Sequence, residues 1–249
     1  AGPFAAPILG AAALQLGGWR AGFVVLAAFA ALALAAAAVF VPESLERGRR
    51  QTLRLGAMAA NYGRLLRDRG YILPALSMAF GFAALAVHSA ASSFVAQEIL
   101  HTGPWGFALV YALYAGSVLA GSTINAVLVG RFGVRRMMAA AQGTALVATT
   151  ALLVFALWGP FTLATFLVPV LVSGAAVSAV LAGASALALS RARFAAGAGA
   201  ALMGSTQYAV AAVAAPVGGI LGSHTAVPMA AGMLACLIVS ALCAARTRP

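Results

Sequence analysis

The sequence predicts an all-helical polytopic membrane protein, on two observations. Apolar runs of about 20 residues or more succeed one another along the chain, each long enough to cross about 30 Å of hydrocarbon as a helix. Charge is confined to the breaks between them, and seven of the fifteen arginines and three of the four acids fall in one polar stretch, Pro42 to Gly70. Composition agrees, since 63% of the 249 residues are hydrophobic, 8% are charged and the mean hydropathy is +1.02. Soluble domains carry about a quarter of charged residues. The formal net charge of +11 does not point to nucleic acid. A nucleic-acid reader gathers its basic residues on a continuous face with polar and aromatic partners, whereas here they come in short clusters between apolar runs, as in the cytoplasmic loops of membrane proteins.

Eight segments are expected, with cores at 1–17, 20–41, 71–96, 106–130, 134–157, 160–189, 194–221 and 226–245. The first begins at Ala1 inside an apolar run, with no initiator Met and no basic residue before it. The chain therefore reads as the continuation of a longer one; a signal peptide would need a positive n-region. A Gly- and Trp-rich connection at 17–20 is expected to separate the first two segments.

The polar stretch 42–70 divides a short apolar block, 1–41, from a long one, 71–249. Within it Leu55, Met58, Ala59, Tyr62, Leu65 and Leu66 follow helical spacing, with Arg64 and Arg67 off that face. This fits an amphipathic helix on the membrane surface, tethering two bundles; a solvated basic loop fits equally well. The connections at 17–20, 97–105, 157–160 and 222–226 carry one arginine, Arg20, while those at 42–70, 131–136 and 190–193, with the tail, carry the other fourteen. The two sets alternate strictly, so the positive-inside rule puts the arginine-rich set and both chain ends in the cytoplasm. A multi-pass protein of a bacterial inner membrane is expected.

A faint repeat links Ala6-Pro7-Ile8-Leu9-Gly10 in the first segment with Ala215-Pro216-Val217-Gly218-Gly219 in the seventh. A proline inside a helix frees a backbone carbonyl and bends it, and a nearby glycine admits a neighbour. Pro7 with Gly10, and Pro216 with Gly218 and Gly219, are expected to act as pivots. Lying six segments apart, the two fit homologous halves of six helices each. On that count the first two segments are the fifth and sixth helices of a twelve-helix protein.

These stretches resemble the drug:proton antiporters of the major facilitator superfamily, most closely the bicyclomycin and chloramphenicol exporters. Gly2-Pro3 through Gly10 is similar to the second part of the antiporter motif on helix five, with Ala11 where a last glycine is usual. Gly17-Gly18-Trp19-Arg20-Ala21-Gly22-Phe23 resembles the opening of helix six, and Pro42-Glu43-Ser44-Leu45 its close. Gly130-Arg131-Phe132-Gly133-Val134-Arg135-Arg136 is similar to the second-half basic loop, though without its usual acid. Gly121-Ser122-Thr123-Ile124-Asn125 and Ala198-Gly199-Ala200-Ala201 through Gln207 resemble the same branch. The resemblance implies the major facilitator fold, with helices five to twelve present. It also implies alternating access, in which proton entry drives expulsion of a small hydrophobic drug-like molecule. The acids that usually take the proton lie in the first helices, outside this sequence. No cofactor is implied.

An acid at mid-membrane would be a functional candidate by default; none is present. Glu98, beside Gln97 at the extracytoplasmic end of the third segment, is a candidate gate residue or a solvated helix end. Asn125, Gln142, Gln207 and Tyr208 are too polar to face lipid and are candidates to line a substrate cavity. His88, with Ser89, Ser92 and Ser93, forms a polar stripe, and Tyr111 with Tyr114 another. Together they suit a weakly polar, aromatic cavity, although small hydroxyls also serve plain helix packing. A neutral His88 could assist proton coupling. Arg131, Arg135 and Arg136 could latch two bundles on the cytoplasmic side, though topology alone explains them.

Enzymatic readings fare poorly. Gly183-Ala184-Ser185-Ala186 is one residue from a serine-hydrolase pattern, but the possible base His224 falls near the opposite side of the bilayer, about 25–30 Å away. Cys236 and Cys243 lie on one helix, too far apart for a disulfide, and have no His or acid partners for a metal. Two other readings remain: a non-transporting remnant or half that needs a partner supplying four helices, and an importer of sugars or acids.

Overall fold

The computed structural model describes residues 2–40, 55–220 and 225–247, the side chains of 2–19, 55, 57, 104, 219 and 220 excepted. Among the described residues every regular element is a helix, and the chain divides into two units, Ala1–Arg54 and Leu55–Pro249. Among the described residues six stretches are long and apolar enough to cross a membrane: Arg20–Phe40, Arg69–Ile99, Trp105–Phe132, Val134–Trp158, Leu163–Arg191 and Val227–Ala245. The chain is that of a multi-pass membrane protein.

The described part of the first unit is one helix, α1 (Gly2–Phe40). It runs unbroken through Pro7, Gly10 and Gly17-Gly18-Trp19-Arg20, where two segments with a connection between them were expected. A reversal there would create two new helix ends whose backbone groups need partners. An alanine-rich helix satisfies those groups locally. At about 1.5 Å per residue it is about 58 Å long, roughly twice the hydrocarbon thickness. The side chains of Phe23 to Phe40 are exposed throughout. Pro42-Glu43-Ser44-Leu45 and the linker as far as Arg54 lie outside the described residues.

The second unit begins with α2 (Leu55–Arg67), the amphipathic helix expected in the linker. Leu65 is its fully buried anchor, packed with Tyr71, Ala75, Ala188, Ala192 and Met203, while Met58 and Leu66 stay exposed. Arg64 lies 4.2 Å over the ring of Phe194, which fixes the same end of α2 by a cation–π contact. Next comes α3 (Arg69–Phe94), whose N-cap Asp68 accepts a 2.8 Å hydrogen bond from the Gly70 N–H. It is prolonged by a π-helical turn, Val95–Ile99. Thr102 Oγ1 donates to the Ala96 carbonyl at 2.8 Å, and Gly103, at φ +67°, supplies the left-handed step that reverses the chain.

Helices α4 (Gly103–Phe132) and α5 (Val134–Trp158) are joined by Gly133 alone, again left-handed at φ +79°. Helix α6 (Leu163–Arg191) starts on a capping box between Thr162 and Thr165. After a 3-10 turn at Arg193–Ala195 come α7 (Ala196–Ala214), α8 (Val217–Ile220) and α9 (Val227–Ala245). The seventh expected segment is thus interrupted at Ala215-Pro216, where proline cannot continue the hydrogen-bond ladder. His224 lies outside the described residues.

Helix α3 is central: its Ala83, Ala84, Val87, Ala91 and Val95 pack with Tyr114 of α4, Leu152 of α5, Phe166 and Val177 of α6, and Met229, Met233 and Leu237 of α9. Helices α4 and α6 cross in close contact. A Cβ at Gly121 would collide with the Ala175 carbonyl, and one at Gly174 would lie 2.6 Å from Cε2 of Tyr114. Small residues here let two backbones meet, the means by which membrane helices gain packing without a hydrophobic drive. The arginine-bearing helix ends gather at one end of this unit. Arg135 Nη1 donates to the Thr247 carbonyl at 3.0 Å, and Tyr71 Oη donates to the Gly199 carbonyl at 2.6 Å.

Candidate functional site

Three polar groupings in the second unit take up five of the seven expected cavity residues, at three depths. Nearest the arginine-rich end is a network on α3, α5 and α9. Gln142 Nε2 donates to Ser77 Oγ at 3.2 Å and to Ser240 Oγ at 2.9 Å, and Ser240 Oγ donates to the Ser77 carbonyl at 2.7 Å. The two hydroxyl oxygens are 3.1 Å apart. Both amide hydrogens and both hydroxyl hydrogens can be used at once, with Ser77 donating to Ser240. Only Gln142 Oε1 is left without a partner. Beside Gln142 a cavity of about 270 Å³ opens between Arg135, Met138, Leu187 and Ala244.

Midway along α7, Tyr208 is exposed and its ring sits edge-on to Phe82 of α3 at 5.4 Å. Gln207, its neighbour, is half-buried. Both side chains are at the surface of this unit, whereas residues too polar to face lipid were expected to point into the bundle.

Toward the opposite end, His88 of α3 lies against Tyr114 of α4, with ring centroids 4.1 Å apart and tilted by 42°. His88 is 1% exposed and Ser92, one helical turn on, is equally buried. Among the described residues neither ring nitrogen of His88, nor Ser92 Oγ, nor Tyr114 Oη has a hydrogen-bond partner. A buried polar atom left without a partner costs about 1–3 kcal/mol. Four of them in one place mark a spot suited to water or to polar atoms of a bound molecule.

The remaining candidates fall outside these groupings. Asn125 is buried on α4, and Tyr111 is half-buried with its ring 5.9 Å from Phe107. Glu98 is exposed in the π-helical turn, as expected of a solvated end. Arg131, Arg135 and Arg136 are exposed around the Gly133 link. Pro216 stands at the break after α7, and Gly218 packs its bare α-carbon against Val87 and Ala91 of α3. Pro7 and Gly10 lie within α1, their surroundings outside the described residues. Ser185 donates to the Ala182 carbonyl of its own helix, as packing serines do.

The sequence reading missed Ser77 and Ser240, and also the 3.1 Å bond between the buried Thr149 of α5 and Ser173 of α6. Isolated small hydroxyls in apolar segments carry no signal of which neighbour they will face. The conjunction of Ser77 with a glutamine on another segment was the only available hint.

No protein-family model matches the chain. It is similar to the uncharacterised MFS-type transporter YdgK of Bacillus subtilis, 28% identical over 247 residues, which is 96% of this chain and 60% of that one. It is also similar to the bicyclomycin resistance protein homolog of Haemophilus influenzae, 27% identical over 248 residues, with 96% and 60% covered. The chain therefore spans about three-fifths of the length of the curated relatives it matches. Those relatives are transport and resistance proteins, not enzymes by name.

Proposed function

We propose that this chain forms helices five to twelve of a major-facilitator exporter that expels small hydrophobic drug-like molecules in exchange for protons. Residues 1–41, one continuous helix from Gly2 to Phe40, would belong to the first bundle where the relatives' fifth and sixth helices align, 42–70 would be the tether and 71–249 the second bundle. The observation that carries this reading is the alignment of almost the whole chain with the bicyclomycin resistance protein homolog. A protein of that name protects a cell, and removal of the drug across the inner membrane is the direct way for a helical membrane protein to do so. The arginine-rich end would face the cytoplasm.

The substrate would lie between the two bundles near the middle of the membrane. Gln207 and Tyr208, at the surface of α7, would touch it, and the unpartnered set of His88, Ser92 and Tyr114 would bind its polar atoms or a water. Arg131, Arg135 and Arg136 would act at the cytoplasmic gate, Glu98 at the outer mouth, and the break at Pro216 as a pivot. Gln142 is better explained as a tie between helices.

The test is accumulation of hydrophobic antibiotics and dyes in an efflux-deficient bacterium. Expression should lower accumulation of at least one compound, and a protonophore should abolish the difference. Accumulation that rises on expression would reverse the direction of transport. A Gln207→Ala variant that exports every substrate as before would remove that residue from the cavity.

A further inference from the structure

A large concavity lies away from the groupings above, at the arginine-rich end. It has a volume of about 980 Å³ and is bordered by Arg67, Arg69, Arg191 and Arg246. These residues come from the end of α2, the start of α3, the end of α6 and the residue after α9. Topology requires positive charge on these loops but does not require four guanidinium groups from separate elements to surround one space.

Helix stability does not explain the set either. Arg191 and Arg246 stand at helix C-termini, where the dipole welcomes a cation, but Arg69 is the first residue of α3, at the positive end, where a cation is disfavoured. The nearby acid, Asp68, has one carboxylate oxygen on the Gly70 N–H. Among the described residues no carboxylate lies within ion-pair distance of any of the four arginines. Gly70 keeps the space open: a Cβ there would lie 3.0 Å from Arg191 Nε and 3.1 Å from Asp68 Oδ1.

The wall is not wholly charged. Leu66, Leu73 and Ala245 line the same cavity, so guanidinium groups adjoin an aliphatic surface. A guanidinium pairs with phosphate oxygens through two parallel hydrogen bonds, and several together suit a ligand with more than one phosphate. The adjoining apolar residues suit the first carbons of acyl chains. The partly exposed amphipathic α2 borders the cavity and would lie at headgroup depth.

We propose that this cavity binds the phosphates of an anionic membrane lipid, and that a lipid with two phosphodiester groups, a cardiolipin, fits it best. The inference rests on the membrane topology and not on drug export. It is tested on the full chain purified in detergent, stripped of lipid and titrated with cardiolipin, phosphatidylglycerol, phosphatidylethanolamine and inorganic pyrophosphate. Bound lipid is counted by native mass spectrometry.

One cardiolipin should be retained per chain, ahead of phosphatidylglycerol and well ahead of phosphatidylethanolamine. Arg69→Gln with Arg191→Gln should weaken cardiolipin about thirtyfold, at about five- to sixfold per arginine at a charged surface. The control pair Arg131→Gln with Arg136→Gln removes equal charge and should change it less than about twofold. Arg69→Lys with Arg191→Lys keeps charge and topology, so a protein that folds as before should still lose the preference for cardiolipin over phosphatidylglycerol. An equal loss from the control pair would reduce the site to general surface charge and overturn the proposal. So would pyrophosphate binding as tightly as cardiolipin, which would make it a soluble-anion site, or no preference over phosphatidylethanolamine.

Discussion

Helix α3 carries two buried polar groupings that invite comparison, one around Ser77 and one around His88. The first is closed but for one acceptor: Ser77, Gln142 and Ser240 use every hydrogen they have on one another or on a backbone carbonyl, and Gln142 Oε1 alone lacks a partner among the described residues. The second is open, since His88, Ser92 and Tyr114 are as deeply buried but leave four polar atoms without partners. Burial alone therefore does not separate glue from site. Satisfaction of hydrogen bonds does, because a closed network stabilises the bundle while an open one is costly until something binds.

That contrast predicts opposite consequences for substitution, and the largest effect is expected at the open grouping. His88→Phe keeps a ring against Tyr114 and removes two unpartnered nitrogens. Thermal stability in detergent should stay level or rise, because the apolar ring needs no partner. Export in the accumulation assay should fall about tenfold, the value of one or two lost hydrogen bonds of about 1 kcal/mol. Unchanged export together with a lowered melting temperature would mean that His88 is glue after all.

At the closed grouping the signs invert. Gln142→Leu removes the only side chain that bonds both serines, and should cost about 1–2 kcal/mol at about 0.6 kcal/mol or more per interhelical bond. A fall of a few degrees in melting temperature should follow, while export per folded molecule stays within about twofold. Export lost at full stability would move Gln142 from the packing of the bundle into the cavity.

How much of this the sequence disclosed depends on what each feature needs. The spans of α4, α5, α6 and α9 were legible to within about three residues, because length and the placement of arginine, glycine and proline set them locally. The helix in the linker was one of the two readings that its spacing allowed. The continuity of α1 through Gly17-Gly18 was not, since whether two glycines turn or stay helical depends on what packs beside them. The pairing of polar side chains was hidden for the same reason. His88 and Gln142 looked alike as polar residues in apolar segments, and only the neighbours on α4 and α9 make one open and the other closed.

The smallest effect is the sharpest test of the closed network. In Ser77→Ala the Gln142 amide still reaches Ser240 Oγ, and the Ser240 hydroxyl still reaches the carbonyl of residue 77, which the substitution does not touch. The loss should be about 0.6 kcal/mol, near the average for a hydrogen bond between membrane helices. Combined with Gln142→Leu, it should add less than its value alone, because Ser77 has already lost the amide it accepts from. Full additivity of the two changes, read from unfolding of the single and double variants, would show that Ser77 and Gln142 act independently. The grouping would then be three polar residues lying near one another, and the contrast with His88 would lose its physical basis.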